Sequence, residues 1–279
     1  MSTPNARPPQ VGRFLFVEPS DASFELDGLK QLTVVSPALG GRGDVTVWVP
    51  PGHENATDLP LVILLHGVYG SHWCWSAKAG AHRVARRLIE AGEIAPCVLA
   101  MPSDGLLGEG SGYVNHPGGP DVADWIADDV PDAISACVAC VSDASPRYIT
   151  GLSMGGFGAL RLGATRPDRF AAFGGMSSLI ELAQMDWCTH DGARYADWPV
   201  PEEATLLNAM LANRDTLCPF IFDCGSEDYL FEANQQFSHA LHKAELPHTF
   251  SIHEGAHEWS YWENHLSDHL RFFHTIETS

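Results

Sequence analysis

Gly151-Leu152-Ser153-Met154-Gly155-Gly156 lies between a short β-prone run, residues 148–152, and a helix-prone run, residues 157–166. A serine in that setting sits on a sharp strand-to-helix turn with a strained backbone. The flanking glycines are required because a Cβ there would collide with the neighbouring strand and helix. The turn pushes the Ser153 hydroxyl out of the top of a sheet, beside a helix N-terminus whose free N–H groups favour developing negative charge. Such a chain needs a sheet below the serine and a helix behind it, so an α/β architecture is the first constraint.

The rest of the sequence agrees. Apolar β-type runs recur at residues 32–37, 45–49, 61–65, 97–101, 148–152, 170–176, 219–224 and 249–253, with helix-like segments at 77–91, 122–140, 157–166, 231–244 and 258–274. The first two runs have no helix between them and read as an antiparallel start that turns at Gly40-Gly41-Arg42-Gly43. Strand and helix then alternate, which predicts a mainly parallel sheet with helices on both faces. Residues 61–65 and 97–101 are apolar without alternation, as doubly covered strands should be. Trp259, Trp262, Leu266, Leu270 and Phe273 recur at near-helical spacing and are expected to face the core. Residues 1–30 read as an N-terminal extension before an α/β domain spanning 31–279. Residues 177–215, with Trp187, Tyr195 and Trp198 among polar neighbours, read as a short cap or excursion over the site.

Charge narrows the function. There are 35 acidic and 16 basic residues, net −19, and the basic ones form no cluster. Such a chain repels phosphate backbones and anionic membranes, so a small neutral or cationic molecule is the expected partner rather than nucleic acid or a membrane. No apolar run approaches the roughly 20 residues that span a bilayer. The N-terminus lacks the basic-then-apolar pattern of a secretory signal, which makes a cytoplasmic location the expectation. Seven cysteines without regular spacing do not read as a disulfide framework, and Cys137-x-x-Cys140 is expected to be helix packing. His190-Asp191 and His116 offer scattered metal ligands without an H-E-x-x-H or comparable spacing, so neither a metal nor another cofactor is expected. Oligomeric state has no signal in the sequence.

A serine hydroxyl is a poor nucleophile until a base within hydrogen-bonding reach takes its proton. The base is usually a histidine oriented by a buried carboxylate. On a doubly wound sheet the chain order is serine, acid, histidine. Phe220-Ile221-Phe222-Asp223-Cys224-Gly225-Ser226-Glu227-Asp228 reads as a strand and a polar turn, and an acid just past the strand's carboxyl end falls beside the serine turn. That selects Asp228, with Glu227 as its rival and Asp223 still inside the strand; the other reading of Asp228 is a cap for the next helix. Among the 14 histidines, His257 lies in a loop between the last strand and the last helix, whereas His253 is within the strand and His265 and His269 are within the helix. A tetrahedral intermediate needs two N–H donors. Met154 N–H and Val68 N–H, the latter from His66-Gly67-Val68-Tyr69-Gly70, are the candidates. His66 reads as a structural hydrogen-bonding residue, and Trp73 and Trp75 either wall a pocket or simply pack.

With these residues assembled, the chain resembles the putative-esterase family of α/β-hydrolases, which includes S-formylglutathione hydrolase (esterase D), tributyrin, feruloyl and enterochelin esterases and mycolyltransferases. The resemblance spans about residues 32–273. It rests on Leu65-His66-Gly67-Val68-Tyr69-Gly70, Met101-Pro102-Ser103-Asp104-Gly105, the serine turn, Cys224-Gly225-Ser226-Glu227-Asp228 and Gly255-Ala256-His257-Glu258-Trp259. It implies an α/β-hydrolase sheet of about eight strands without a large lid. It also implies Ser153 as nucleophile, Asp228 as orienting acid, His257 as base, Val68 and Met154 as oxyanion donors, and ester or thioester cleavage without a cofactor. Residues 110–120, with Tyr113, Asn115 and His116, resemble the family's variable loop bordering the site. Tyr113, His116, Trp73 and Trp187 are the expected substrate contacts.

The expected activity is that of a serine carboxylesterase acting on small or short-chain acyl esters through an acyl-enzyme. A glutathione-thioester hydrolase ranks second, because those relatives carry a more cysteine- and threonine-marked loop where this chain has Val68-Tyr69-Gly70-Ser71-His72-Trp73. Acyl transfer to a sugar or other alcohol comes third, and a binding module that has kept a hydrolase fold comes last.

Overall fold

The computed structural model describes residues 10–190 and 205–278. Its elements, in chain order, are strands β1 (Phe16–Pro19), β2 (Leu29–Ser36), β3 (Gly41–Trp48) and β4 (Leu61–Leu65), helices α1 (Cys74–Lys78) and α2 (Ala81–Glu90), and strand β5 (Val98–Pro102). Helix α3 (Val122–Asp124) follows, then a π-helical turn (Trp125–Asp129), α4 (Val130–Cys137), β6 (Arg147–Gly151), α5 (Met154–Thr165) and β7 (Ala172–Met176). The chain continues through a 3-10 turn (Leu182–Trp187), α6 (Leu206–Ala212), β8 (Phe220–Gly225), α7 (Phe231–Lys243), β9 (Thr249–His253) and α8 (Trp259–Glu277). The strands form one nine-stranded sheet in the order β1-β2-β3-β5-β4-β6-β7-β8-β9. Antiparallel pairing is confined to β1/β2, β2/β3 and β3/β5, and every pair from β5/β4 onward is parallel.

The unalternating apolar strands have the two-sided burial expected of them. In β4, Leu61, Ile63 and Leu65 face a core beneath α3, α4, α5, α6 and α7, while Val62 and Leu64 face a second core under α2 and α8. Successive side chains point to opposite faces of a strand, so a strand covered on both sides has no polar position to spare. The aromatic stripe on α8 packs as expected: Trp262, Leu266, Leu270 and Phe273 are buried, and Trp259 packs at the edge of the same core.

Local details depart from the sequence reading. The β2–β3 hairpin turns before Gly41, with Gly40 taking the left-handed turn position at φ 60°; Gly41, Arg42 and Gly43 are paired inside β3. Residues assigned to an N-terminal extension enter the sheet: Phe16 pairs with Val35, and Arg13 makes an ion pair with buried Asp129 at 2.5 Å. Strand β1 is short and has one buried residue, so its apolar pattern is too weak to stand out in sequence. The helix expected over residues 77–91 divides into α1 and α2 where Gly80 adopts φ 55°. The segment 122–140 is interrupted by the π-helical turn, and the helix ends at Cys137; Cys140 is buried beyond it, and both thiols are free.

Candidate active site

β6 ends at Gly151 and α5 begins at Met154, so Leu152 and Ser153 make the entire reversal. Ser153 takes φ 56° and ψ −120°, a conformation that costs a residue with a Cβ roughly 1–3 kcal/mol and persists only where the surroundings over-determine it. They do here: Ser153 N–H donates to Met176 O (2.9 Å), Leu152 N–H to Leu65 O (3.2 Å) and Gly155 N–H to Leu152 O (2.7 Å). The helix start presses on β4 so closely that a Cβ on Gly155 would lie 2.4 Å from Leu65 O and 2.6 Å from His66 O. Both obstacles are backbone, which cannot swing aside. Gly155→Ala is therefore expected to cost about 1–3 kcal/mol of stability and to lower activity with it, measured by urea denaturation and ester turnover; an unchanged midpoint would refute the close approach.

Ser153 is 2 % exposed and its Oγ lies 3.1 Å from His257 Nε2. On the far side of the ring, His257 Nδ1 lies 2.9 Å from Asp228 Oδ2. Asp228 is buried, and its other oxygen accepts Leu230 N–H at 2.8 Å. The carboxylate thus holds the turn ahead of α7 with one oxygen and faces the imidazole with the other, while the N-cap position of α7 itself falls to Leu230. The acid and histidine loops are fastened by backbone: Ser226 N–H donates to His253 O (2.8 Å) and Glu227 N–H to Gly255 O (2.9 Å). Glu227 contributes that N–H while its side chain faces solvent.

A second histidine–carboxylate pair lies beneath. Asp223 Oδ2 is 2.7 Å from His269 Nε2, Asp223 Oδ1 accepts the Tyr261 hydroxyl at 2.6 Å, and His269 Nδ1 is 2.9 Å from Thr150 Oγ1. Burial and the adjoining Asp223 carboxylate push the Tyr261 phenol far up, which keeps it a donor. Thr150 precedes the serine turn, Asp223 the acid turn, and Tyr261 and His269 follow His257 in the chain. The network therefore ties together the three elements that carry Ser153, Asp228 and His257.

Gly67 comes so near the serine turn that a Cβ on it would sit 3.3 Å from Ser153 Cβ, which brings the loop that carries Val68 up to Ser153. Among the described residues, neither Val68 N–H nor Met154 N–H donates a hydrogen bond within the protein. His66 is buried with Nδ1 2.7 Å from Gly67 O, a structural role for this loop. The loop is further braced by Tyr69 N–H to Glu109 O (2.9 Å), and Glu109 also faces His190, with Oε1 3.0 Å from its Nδ1.

The expected substrate contacts divide. Tyr113 is 0 % exposed, gives its hydroxyl to His66 O at 3.0 Å and packs against Gly158 of α5; it supports the loop of residues 66–70 from the core and offers no surface to a substrate. The resemblance of residues 110–120 to the family's variable loop made Tyr113 an expected contact, but burial has claimed it. His116 is half-buried with Nε2 2.8 Å from Ser111 O. Trp73 is exposed at the head of α1, whereas Trp75 is buried and donates its indole N–H to Leu65 O. Trp187 is 62 % exposed and lines a groove of ≈ 610 Å³ together with Tyr229. Tyr195, Trp198 and Asp191 lie outside the described residues.

Two side chains beside the histidine were not singled out as site residues from sequence. Tyr229 stacks obliquely on His257 at 4.6 Å, and Trp262 meets it edge-on at 4.9 Å. Burial pushes the Tyr229 phenol up to about 12 in spite of the nearby Ser153 hydroxyl, so it stays protonated. Tyr229 directly follows Asp228, an adjacency that was the available signal; Trp262 belongs to the α8 stripe and serves core and site together. For metals, His253, His265 and Asp268 bring ligand atoms within 4.8 Å of one another among the described residues, but Asp268 is already paired with Arg271 at 3.2 Å. Among the described residues, no helix is long and apolar enough to cross a membrane.

The chain is similar to known proteins in family and in fold. The sequence profile of the family described as "Putative esterase" matches residues 36–273. A ferulic acid esterase structure is similar at 25 % identity and a TM-score of 0.76, over 93 % of this chain and 98 % of that one. A fluorophosphonate-binding serine hydrolase of Staphylococcus aureus superposes with a TM-score of 0.74 at 23 % identity, over 87 % of this chain and 96 % of its own. An S-formylglutathione hydrolase from Agrobacterium tumefaciens does so with 0.71 at 20 % identity, over 90 % and 97 %.

Proposed function

The chain belongs to the putative-esterase family of α/β-hydrolases and is a carboxylic ester hydrolase, and from that premise we propose that Ser153, His257 and Asp228 carry its reaction on small acyl esters. The supporting observation is the unbroken relay from Ser153 Oγ through His257 to the buried Asp228 carboxylate. His257 Nε2 takes the hydroxyl proton as Oγ bonds to the ester carbonyl carbon, and the carbonyl oxygen becomes an oxyanion facing Val68 N–H and Met154 N–H. Collapse breaks the bond to the leaving alcohol, which receives the proton from His257. Water then gives its proton to His257, attacks the acyl-enzyme, and releases the carboxylic acid as the proton returns to Ser153. Asp228 holds the ring in its productive tautomer and stabilises the imidazolium without taking the proton itself.

A fluorophosphonate probe should label the protein once, on the peptide carrying Ser153, as read by intact mass and peptide mapping. Labelling elsewhere, or none in a protein that hydrolyses esters, would overturn the assignment. Thioester cleavage is the second reading, favoured by the likeness to S-formylglutathione hydrolase. Comparing kcat/KM for p-nitrophenyl acetate, a feruloyl ester and S-formylglutathione separates the two.

A further inference from the structure

The groove of ≈ 610 Å³ that Trp187 and Tyr229 open onto runs between the 3-10 turn, α6 and the outer side of α7. Its floor is apolar, with Leu207 and Phe237, and its rim carries the carboxylates of Glu181 and Glu232. No Lys, Arg or His is among its described lining residues. Among the described residues neither carboxylate makes an ion pair: Glu232 accepts only a neutral amide, Gln236 Nε2 at 2.7 Å, and Glu181 caps the 3-10 turn through backbone N–H. Tyr229, 53 % exposed, forms one wall and its ring also packs on His257 at 4.6 Å, so this one side chain separates the groove from the Ser153–His257 pair, neither of which lines it.

Resting on the Ser153 reading, we infer that this groove receives the part of the ester remote from the scissile bond, and that this part is a positively charged group, an amine or quaternary ammonium, on an apolar stem. The apolar floor takes the stem. Exposed Trp and Tyr faces attract a cation through their ring quadrupoles, and the two solvent-exposed carboxylates, without an ion-pair partner among the described residues, add a screened Coulomb attraction. The same charges repel an anion, which sets the site against the two carboxylates of a glutathione thioester.

The test holds the reacting ester constant and changes the remote charge. On the acyl side, kcat/KM is measured for p-nitrophenyl esters of aminocaproate, heptanoate and monopimelate. On the alcohol side, acetylthiocholine is compared with its uncharged carbon isostere. In at least one series the cationic ester should be favoured, by about tenfold over the anionic one on the acyl side or several-fold over the neutral isostere on the alcohol side. That preference should fall to within about twofold in the Glu181→Gln/Glu232→Gln variant and shrink with added salt. Equal rates for all charges in both series, or a preference that survives the double substitution, would overturn the proposal. Failure to hydrolyse any of these esters, whatever their charge, or hydrolysis that survives Ser153→Ala, would instead overturn the Ser153 reading, and this inference with it.

Discussion

Ser153→Ala is expected to lower ester turnover by about 10⁵ to 10⁶, leaving a residual rate that binding and oxyanion stabilisation alone support. The loss is that large because, among the described residues, Ser153 Oγ is the hydroxyl hydrogen-bonded to the ring, 3.1 Å from His257 Nε2 at the head of α5. The substitution removes one oxygen and keeps the Cβ, so the backbone strain at φ 56° is unchanged and the fold should be intact by circular dichroism and thermal midpoint. Probe labelling should disappear together with turnover. Asp228→Asn is expected to cost about 10⁴, since an amide facing Nδ1 favours the wrong tautomer. A Ser153→Ala protein that keeps a tenth of its activity would end the assignment.

His269→Ala should produce the largest stability loss, about 3–5 kcal/mol, because it leaves the Asp223 charge buried without its ring partner. Asp223, His269 and Thr150 are all nearly inaccessible to water, so no solvent replaces the lost hydrogen bonds at 2.7 and 2.9 Å. Urea denaturation of the single variants and of the Asp223→Asn/His269→Ala pair forms a double-mutant cycle. The pair should cost less than the sum of the single changes, because with the carboxylate gone the histidine has no charge left to hold. Additive effects, or a loss below about 1 kcal/mol for His269→Ala, would show that the pair is not coupled as its geometry implies.

These two expectations differ in how they could have been reached. The Ser153 result was legible in the sequence: a glycine-flanked serine between strand and helix, an acid after a later strand and a histidine before the last helix follow in an order that the sheet requires. Asp223 and His269 could be seen only as an acid inside a strand and a histidine inside a helix. Nothing local says that β8 and α8 bring them to 2.7 Å. Tyr113 shows the opposite failure. The resemblance of its loop to the family's variable loop suggested a substrate contact, whereas the absence of a side chain on Gly158 leaves room for its ring in the core.

Local sequence alone set the layer architecture, the sharp turn at Ser153 and the chain order of Ser153, Asp228 and His257. Each of these is written in short-range signals: strand and helix periodicity, glycine at close backbone approach, and apolar runs that only a doubly covered strand can carry. Tertiary structure alone decided which side chains meet. It entered β1 into the sheet, fastened the acid loop to the histidine loop through Glu227 N–H and Gly255 O, placed Tyr229 and Trp262 against His257, and left an acid-rimmed groove beside them. Contacts between distant segments depend on strand order and loop path, and a chain's local propensities carry neither.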